Sequence, residues 1–336
     1  MSSRKKIMVW VLLLTVVLCF AGIPDAKAAE GKRKIQVMSS IFGGLLYQYI
    51  FAFSKMVEKY SDNMELVLVE SAGTGAGIMK VYSDPLNMMT GGTVVAVSYA
   101  NLGQRPFDKP YPDMRIIGNY ARNIQTLITL NPEIKTVNDL VGKRLGLGPQ
   151  PTVLGKTVRS IIHHGYDGLD KKMKIFFMKW PQLKDGLLDG GLDAMVLGVS
   201  MRAGGAWVPV PVYQEIVMAR KNVYFIPLSE EAVKKASAAD KVLYPSRVIR
   251  ADGIAKGQPQ KDTATFSDDL GLYAHKDFDP ELVYEMTKIL YEHCGEMREV
   301  TAVAKATSVE VVADIVFPDS MIHPGALKYY KEKGLR

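Results

Sequence analysis

The stretch Ile35–Tyr60, reading IQVMSSIFGGLLYQYIFAFSKMVEKY, decides the fold. It opens on Ile35 and Val37, breaks over Ser39–Gly44, and resumes with apolar residues at Leu46, Tyr49, Ile50, Phe53, Met56 and Val57. A short apolar run followed by a helical period reads as strand, small-residue loop and amphipathic helix. The first N–H groups of such a helix have no intrahelical acceptor and lie at the positive end of its dipole, facing the loop. An anion or another oxygen-rich group fits there. An ordinary strand-to-helix turn carries the same signature, so one unit decides little. Recurrence of the unit, directly behind an export leader, carries the argument.

The leader is legible in three parts. Arg4, Lys5 and Lys6 form a positive start, Ile7–Phe20 is an apolar run, and Ala26-Lys27-Ala28 supplies small residues around a cleavage point after Ala28. As a helix, Ile7–Phe20 rises only ~21 Å, short of a ~30 Å hydrocarbon core, so a cleaved signal peptide is the reading rather than an anchor. Cys19 follows the bulky Leu18, where a lipid-attachment site needs a small residue. Export to the periplasm is expected.

Taking 28 residues from 336 leaves 308, more than one hydrophobic core usually covers, so two domains are expected. Loss of four bases (Arg4, Lys5, Lys6, Lys27) and one acid (Asp25) lowers the formal charge from +7 to +4. With no long basic run, nucleic acid is not an expected partner. Cys294 is then the one cysteine left, so no intrachain disulfide is possible. No further stretch is long and apolar enough to cross a membrane.

Downstream, Glu65–Val69 reads as a second strand running into Ser71–Gly77, with a helix over Ile78–Tyr82. Thr93–Ser98 reads as a third strand, and Met114–Asn119 and Gln125–Leu130 as the next two. Lys135–Arg144 reads as a short capped helix and turn before the strand Leu145–Leu147. A loop over 148–154, a helix at Gly155–His163, a strand at Lys174–Met178, a helix at Leu183–Leu188 and a strand at Leu192–Leu197 follow. Alternating strands and helices predict a parallel-rich α/β sheet, in two successive sets. Ligands of such sheets sit beyond the carboxyl ends of strands, a position expected for Ser39–Gly44, Ser71–Gly75, Tyr99, Pro149–Thr152 and Gly198–Ser200. Residues 244–267 read as irregular, Leu270–Ala274 as a strand, and Pro280–His293 as a helix capped by Asp279. Helices at Ser308–Val316 and Pro324–Lys333 close the chain.

Several motifs fail on inspection. Gly148–Thr157, GPQPTVLGKT, approaches a nucleotide P-loop, but Gln150 stands where glycine is needed, and Pro149 and Pro151 lack the N–H groups that cradle phosphates. Gly73–Gly77 lacks the dinucleotide spacing and reads equally as a plain turn or a loop approaching a ligand. The adjacent His163 and His164 diverge by ~100° on a helix and cannot chelate together; they read as helix C-terminal cations. His275, His293 and His323 have no zinc-ligand spacing around them. The common hydrolase signatures are missing. No cofactor, metal or enzymatic activity is expected.

With these loops placed, the chain resembles the TAXI-type solute-binding proteins of tripartite ATP-independent periplasmic (TRAP) transporters, from Ile35 to Gly334. The carriers are Val137–Arg144 running into Leu147-Gly148-Pro149, Gly190–Ala194, Glu281–Lys288, and above all His323–Gly334, HPGALKYYKEKG. The first loop departs from the family, with Ile41 and Phe42 where small hydroxyl residues are usual, though Gly43, Gly44 and Tyr47 match. The later loop departs too, with Pro151, Thr152, Val153 and Leu154 in place of a Gly-Ser-Gly-Thr run.

The resemblance implies an α/β, two-lobed periplasmic-binding-protein fold, type II-like, with the ligand cleft between lobes. Lobe I is expected over 29–122 plus 268–336, and lobe II over 123–267. It implies capture of a small organic anion, a carboxylate or amino acid, and delivery to ion-coupled membrane permease subunits by a monomer. The departures point to a bulkier or less polar anion than glutamate or 2-oxoglutarate. Expected ligand residues are Ser39, Ser40, Gly43, Tyr47, Ser71, Thr74 and Tyr99 from lobe I and Gln150 and Thr152 from lobe II. Arg247 and Arg250 are candidate carboxylate clamps, because a guanidinium bonds bidentately. An exported enzyme, or a binder serving an ATP-driven importer or a signalling receptor, are the alternatives.

Overall fold

The opening unit folds as its periodicity requires. Strand β1, Arg33–Met38, leads through a loop into helix α1, Leu45–Tyr60, whose inward face buries Tyr49, Ile50, Phe53, Met56 and Val57. Burial of each such side chain is worth roughly 1.5–3 kcal/mol, which fixes the helix on its sheet. The computed structural model describes residues 31–40, 42, 44–148, 153–201, 207–209, 211–219 and 222–336. The expected signal peptide, residues 1–28, lies outside the described residues.

Strand β2, Met64–Val69, is followed by helix α2, Thr74–Val81, strand β3, Met88–Thr93, and helix α3, Val95–Leu102. The third strand is thus displaced from the expected Thr93–Ser98, which is helical. Val95–Ala100 is buried all round, and a short apolar run does not distinguish a buried helix turn from a strand. The true strand, MMTGGT, hides behind two glycines. A side chain at Gly91 would press on Ile50, the Gly271 carbonyl and Tyr120. One at Gly92, with φ +152°, would collide with Thr74 Oγ1 and crowd the Tyr273 hydroxyl.

Strand β4, Met114–Ala121, hands over at Arg122 to strand β5, Asn123–Thr129. Strands β6, Arg144–Leu147, β7, Lys174–Phe177, and β8, Ala194–Met201, alternate with helices α4, Val153–Gly165, and α5, Trp180–Leu188. Thr136 and Asp139 form the capping box expected before β6. Short strand β9, Trp207–Pro209, and helix α6, Pro211–Ala219, lead to strand β10, Tyr224–Ile226, and helix α7, Glu230–Asp240. The stretch expected to be irregular holds an antiparallel pair, β11, Ser246–Ile249, and β12, Thr263–Ser267. Thr263, Thr265 and Phe266 are buried in that pair, so short β-branched alternation between Pro and Gly sufficed for a strand.

Strand β13, Leu270–His275, then joins the first set. One sheet runs β2-β1-β3-β13-β4; the other runs β11-β12-β5-β8-β6-β7, with β10 beside β5 and β9 beside β8. The expected parallel character is only partial. β1–β3, β6–β7 and β6–β8 are parallel, whereas β13 is antiparallel to both β3 and β4, and β5 to β8, β10 and β12. The strands that connect the sheets, β4–β5 and β12–β13, run straight from one into the other. A strand that crosses and one that returns enter each sheet from opposite directions, which makes their pairings antiparallel.

Helix α8, Pro280–His293, is capped by Asp279, whose carboxylate accepts from Glu281 N (3.0 Å) and Leu282 N (3.4 Å). Helix α9, Pro324–Glu332, packs across it. The tail motif has a structural meaning here. His323 Nδ1 accepts from Gly325 N, Gly325 sits so close to the Pro280 carbonyl that a side chain would collide, and the buried Tyr330 hydroxyl donates to Ile117 O at 3.0 Å. Among the described residues no helix is long and apolar enough to cross a membrane.

Candidate functional site

The expected binding loops gather at the ends of β1 and β2, but much of their hydrogen-bonding capacity is spent internally. Ser39 is 1 % exposed, and its hydroxyl donates to the carbonyls of Ser40 (3.0 Å) and Val69 (3.2 Å). The Ser71 hydroxyl donates to Ser39 O and, at 3.3 Å, to Gly73 O. Glu70 accepts from Phe42 N at 2.7 Å, tying the first loop to the second. Ser40 sits half-buried beside them. Tyr47 stacks between Phe42 and Phe51, ring centroids 5.0 and 6.4 Å away. Thr74 opens α2 against Gly92 and Tyr273. No side chain caps α1, so its first turn keeps the polarity that favours an anion.

Tyr99 lies elsewhere than at a strand end: it is in the middle of α3, fully buried, against residues that belong with the other sheet. Its hydroxyl meets Thr157 Oγ1 at 3.2 Å and the Tyr244 hydroxyl. Tyr244 in turn donates to Asp240, which also accepts from Ser160. Lys156 Nζ lies 3.8 Å from the Tyr99 ring centroid and donates to Gln104 Oε1 at 2.9 Å, while Gln104 Nε2 donates to Asp240 O at 2.7 Å. Residues on the first sheet's α3 and its following loop thereby bond directly to α4 and α7 of the second.

Beside this contact is a crevice of about 780 Å³. Arg105, Pro106, Phe107 and Asp108 form one wall; Lys156, Ser160, His163 and His164 from α4, with Phe177 and Asp240, form the other. Pro106 and Phe107 also lie against Gly75, so this wall continues from the α2 loop. Its carboxylates are already answered. Tyr111 donates to Asp108 at 2.9 Å, and Asp170 accepts from Arg159 (3.0 Å) and bonds His163 Nδ1 (2.7 Å). Burial opposes ionisation of Asp170, but these two partners outweigh it and hold its pKa below the usual range. Among the described residues Lys156 forms no ion pair. Burial lowers its pKa from 10.5 to about 8, with the Asp240 charge pulling the other way.

The two arginines lie apart from this crevice. Arg247 bonds Asp314 at 3.2 Å, with Asp269 at 4.0 Å, and Arg122 also pairs with Asp314. Arg250 is exposed and bonds Asp262 at 2.6 Å. Gly198 and Ser200 lie within β8, rather than in a loop beyond it. Gly43, Gln150 and Thr152 lie outside the described residues. At the strand crossing, Asp268 and Asp269 are buried; burial pushes their carboxyl pKa values up to about 8 and about 6. Asp268 Oδ1 has no hydrogen-bond partner among the described residues.

Sequence reasoning missed Gln104, Arg105, Phe107, Lys156, Asp240 and Tyr244. One signal was present: on α4 the polar residues at 156, 160, 163 and 164 fall on one face, opposite the buried Val158, Ile161 and Ile162. Lys156 is the lysine of the failed P-loop stretch Gly148–Thr157. Among the described residues, no cluster of three His, Cys, Asp or Glu side chains is placed to hold a metal.

A family profile described as the NMT1-like family matches residues 40–334. Solved structures similar to the chain include a TctC solute-binding protein from Polaromonas, at 15 % identity and TM-score 0.49, covering 90 % of this chain and 97 % of that one. A periplasmic transporter protein matches at 14 % identity and TM-score 0.49, covering 89 % and 93 %. The ligand-binding component of an ABC-type import system from Staphylococcus aureus, with zinc bound, matches at 8 % identity and TM-score 0.47, covering 91 % and 93 %. All three are described as solute-binding or transport proteins.

Proposed function

The chain belongs to the NMT1-like family, and from that premise we propose that it is the extracytoplasmic solute-binding subunit of a TRAP transporter, of the TAXI type. It captures a small organic anion between lobes over 29–122 plus 268–336 and over 123–267, and hands it to ion-coupled permease subunits in the membrane. The observation that carries the binding role is the crevice itself: about 780 Å³ between two α/β lobes that are already bonded to each other by Tyr99–Thr157 and Lys156–Gln104. That volume is in the range of small-molecule sites, and a ligand touching both walls is bound best when the lobes are together. The pairing with a TRAP permease rests on the sequence resemblance, and export on the leader at 1–28.

The mechanism follows from charge and reach. The uncapped start of α1 with Ser40, Tyr47 and Thr74 offers donors on one lobe, where Ser39 and Ser71 brace the loops through bonds to backbone carbonyls, and Gly43 is included from the sequence alone. Tyr99 stands at the contact, and Gln150 and Thr152 are included from the sequence alone for the other lobe. Each anion–dipole contact contributes about 0.3–2 kcal/mol, so several are needed for the roughly −8 kcal/mol of micromolar binding. Phe42, 76 % exposed beside the first loop, favours a bulkier or less polar anion than glutamate.

Native mass spectrometry of the mature chain, after incubation with a mixture of organic acids and amino acids, tests the reading. One acid retained and released unchanged supports it; a chemically altered product supports an exported enzyme instead. Purification of the chain from membranes with its partner subunits distinguishes a TRAP permease from an ATP-driven importer.

A further inference from the structure

We propose that the bound anion sets its carboxylate against Lys156 and its apolar body against Phe107 and Phe177, so that one side chain both reads the charge and holds the lobes together. The inference rests on the solute-binding reading and names the position and class of its ligand: a monocarboxylate with an aromatic or branched apolar body.

Charge accounting leads to Lys156. Around the crevice, Asp108, Asp170 and Asp240 are each engaged by protein donors, and Arg159 and His163 are engaged by Asp170. Lys156 is half-buried, yet among the described residues its ammonium bonds only a neutral amide oxygen, Gln104 Oε1, and faces the Tyr99 ring. The one anion near this desolvated cation, Asp240, is hydrogen-bonded to Ser160 and Tyr244 rather than to Lys156, and burial outweighs its attraction, holding the pKa down at about 8. A carboxylate entering the crevice would restore the missing charge where solvent is already thinned, so the contact is stronger than at an open surface.

The remaining walls set the ligand's body. Phe107 is buried against the α2 loop, and Phe177 lies half-buried at the end of β7 beside Gly155. Two aromatic faces around one half-buried ammonium suit a carboxylate on an apolar body, the crevice's other unpaired cations among the described residues, Arg105 and Lys171, being exposed to solvent. Because Lys156 is on α4 and its amide partner Gln104 follows α3, the residue that meets the anion is one that joins the lobes. Occupancy and closure are thereby coupled through it.

Phenylacetate and its neutral counterpart phenylacetamide, titrated calorimetrically into the mature chain, test this. Wild type should bind phenylacetate at least tenfold more tightly than phenylacetamide. Lys156→Met should lose at least tenfold for phenylacetate and leave phenylacetamide unchanged; equal phenylacetate affinity in the variant overturns the proposal. Lys156→Arg keeps the charge and covers the case in which the methionine variant does not fold. Wild-type affinity should fall between pH 7 and pH 9 as the ammonium deprotonates, and the arginine variant should not show that fall. The comparison isolates residue 156 from Asp240, Tyr99, Tyr244, Arg105, Asp108, Arg159, His163 and His164, which face it or share its helix and are common to both proteins. A pH profile identical in the two overturns the role of Lys156. Glutamate bound in preference to phenylacetate overturns the ligand class while the solute-binding reading stands; binding of no acid overturns both.

Discussion

The hydroxyl of Tyr99, on helix α3 of the first sheet's set, stands 3.2 Å from the hydroxyl of Thr157, on helix α4 of the second's. Tyr99 is fully buried, and burial pushes its pKa above the ordinary value, so the group is a neutral donor and acceptor at any physiological pH. It also meets Tyr244, and through it Asp240. Helices of the two sheets are therefore joined by a chain of hydroxyls ending on a carboxylate, directly beside the crevice.

Tyr99→Phe removes the middle of that chain and leaves Thr157 and Tyr244 with fewer partners. A loss of about 1–3 kcal/mol is expected in urea unfolding, because buried polar groups are left unsatisfied. Small-angle scattering of the unliganded variant should also show a larger radius of gyration than wild type. An unchanged radius would mean that this contact does not hold the lobes together.

Gly92 tests the reading of β3. Its φ of +152° and the positions of Thr74 Oγ1 and Tyr273 OH leave no room for a methyl group. Gly92→Ala should cost more than about 2 kcal/mol by strain and overpacking together. Wild-type stability in that variant would mean that the strand runs elsewhere.

Asp268 and Asp269 make stability fall as pH rises. Burial raises both carboxyl pKa values in the folded chain, to about 8 and about 6, above the ~3.9 of an unfolded aspartate. Between those limits the folded state binds more protons than the unfolded, so their contribution is present below about pH 4 and is lost by about pH 8. Asp268→Asn should flatten urea-midpoint profiles over that range. A profile as steep as wild type would show that Asp268 is ionised in the fold.

Arg250→Ala separates two uses of a guanidinium. Arg250 is 76 % exposed and bonded to Asp262, so its removal should cost less than about 1 kcal/mol of stability and leave ligand affinity within twofold. A tenfold loss of affinity would restore the clamp expected from its residue type.

The fold was legible wherever a long periodic segment coincided with turn chemistry. α1, α8 with its Asp279 cap, and the Thr136–Asp139 capping box are examples. It was not legible at Thr93–Ser98, where a buried helix has no polar face to reveal its period, nor at 246–267, where two strands of four and five residues flank a Pro- and Gly-rich turn. The loops after β1 and β2 could be placed from sequence. The partners of Tyr99 could not, because Thr157, Asp240 and Tyr244 meet it only across the fold, 58 to 145 residues away in sequence. Arg247 was chosen for its chemistry alone, and the ion pair with Asp314 that occupies it is likewise a contact of distant segments.

A thermal-shift screen of the mature chain against organic acids and amino acids tests the central claim most directly. A ligand present at 100 times its dissociation constant adds ~2.7 kcal/mol of apparent stability, which is several degrees in midpoint for a chain of this size. A sharp rise is expected with one carboxylate or a small related group, largest for apolar monocarboxylates. A flat response from well-folded protein across the whole panel would contradict it.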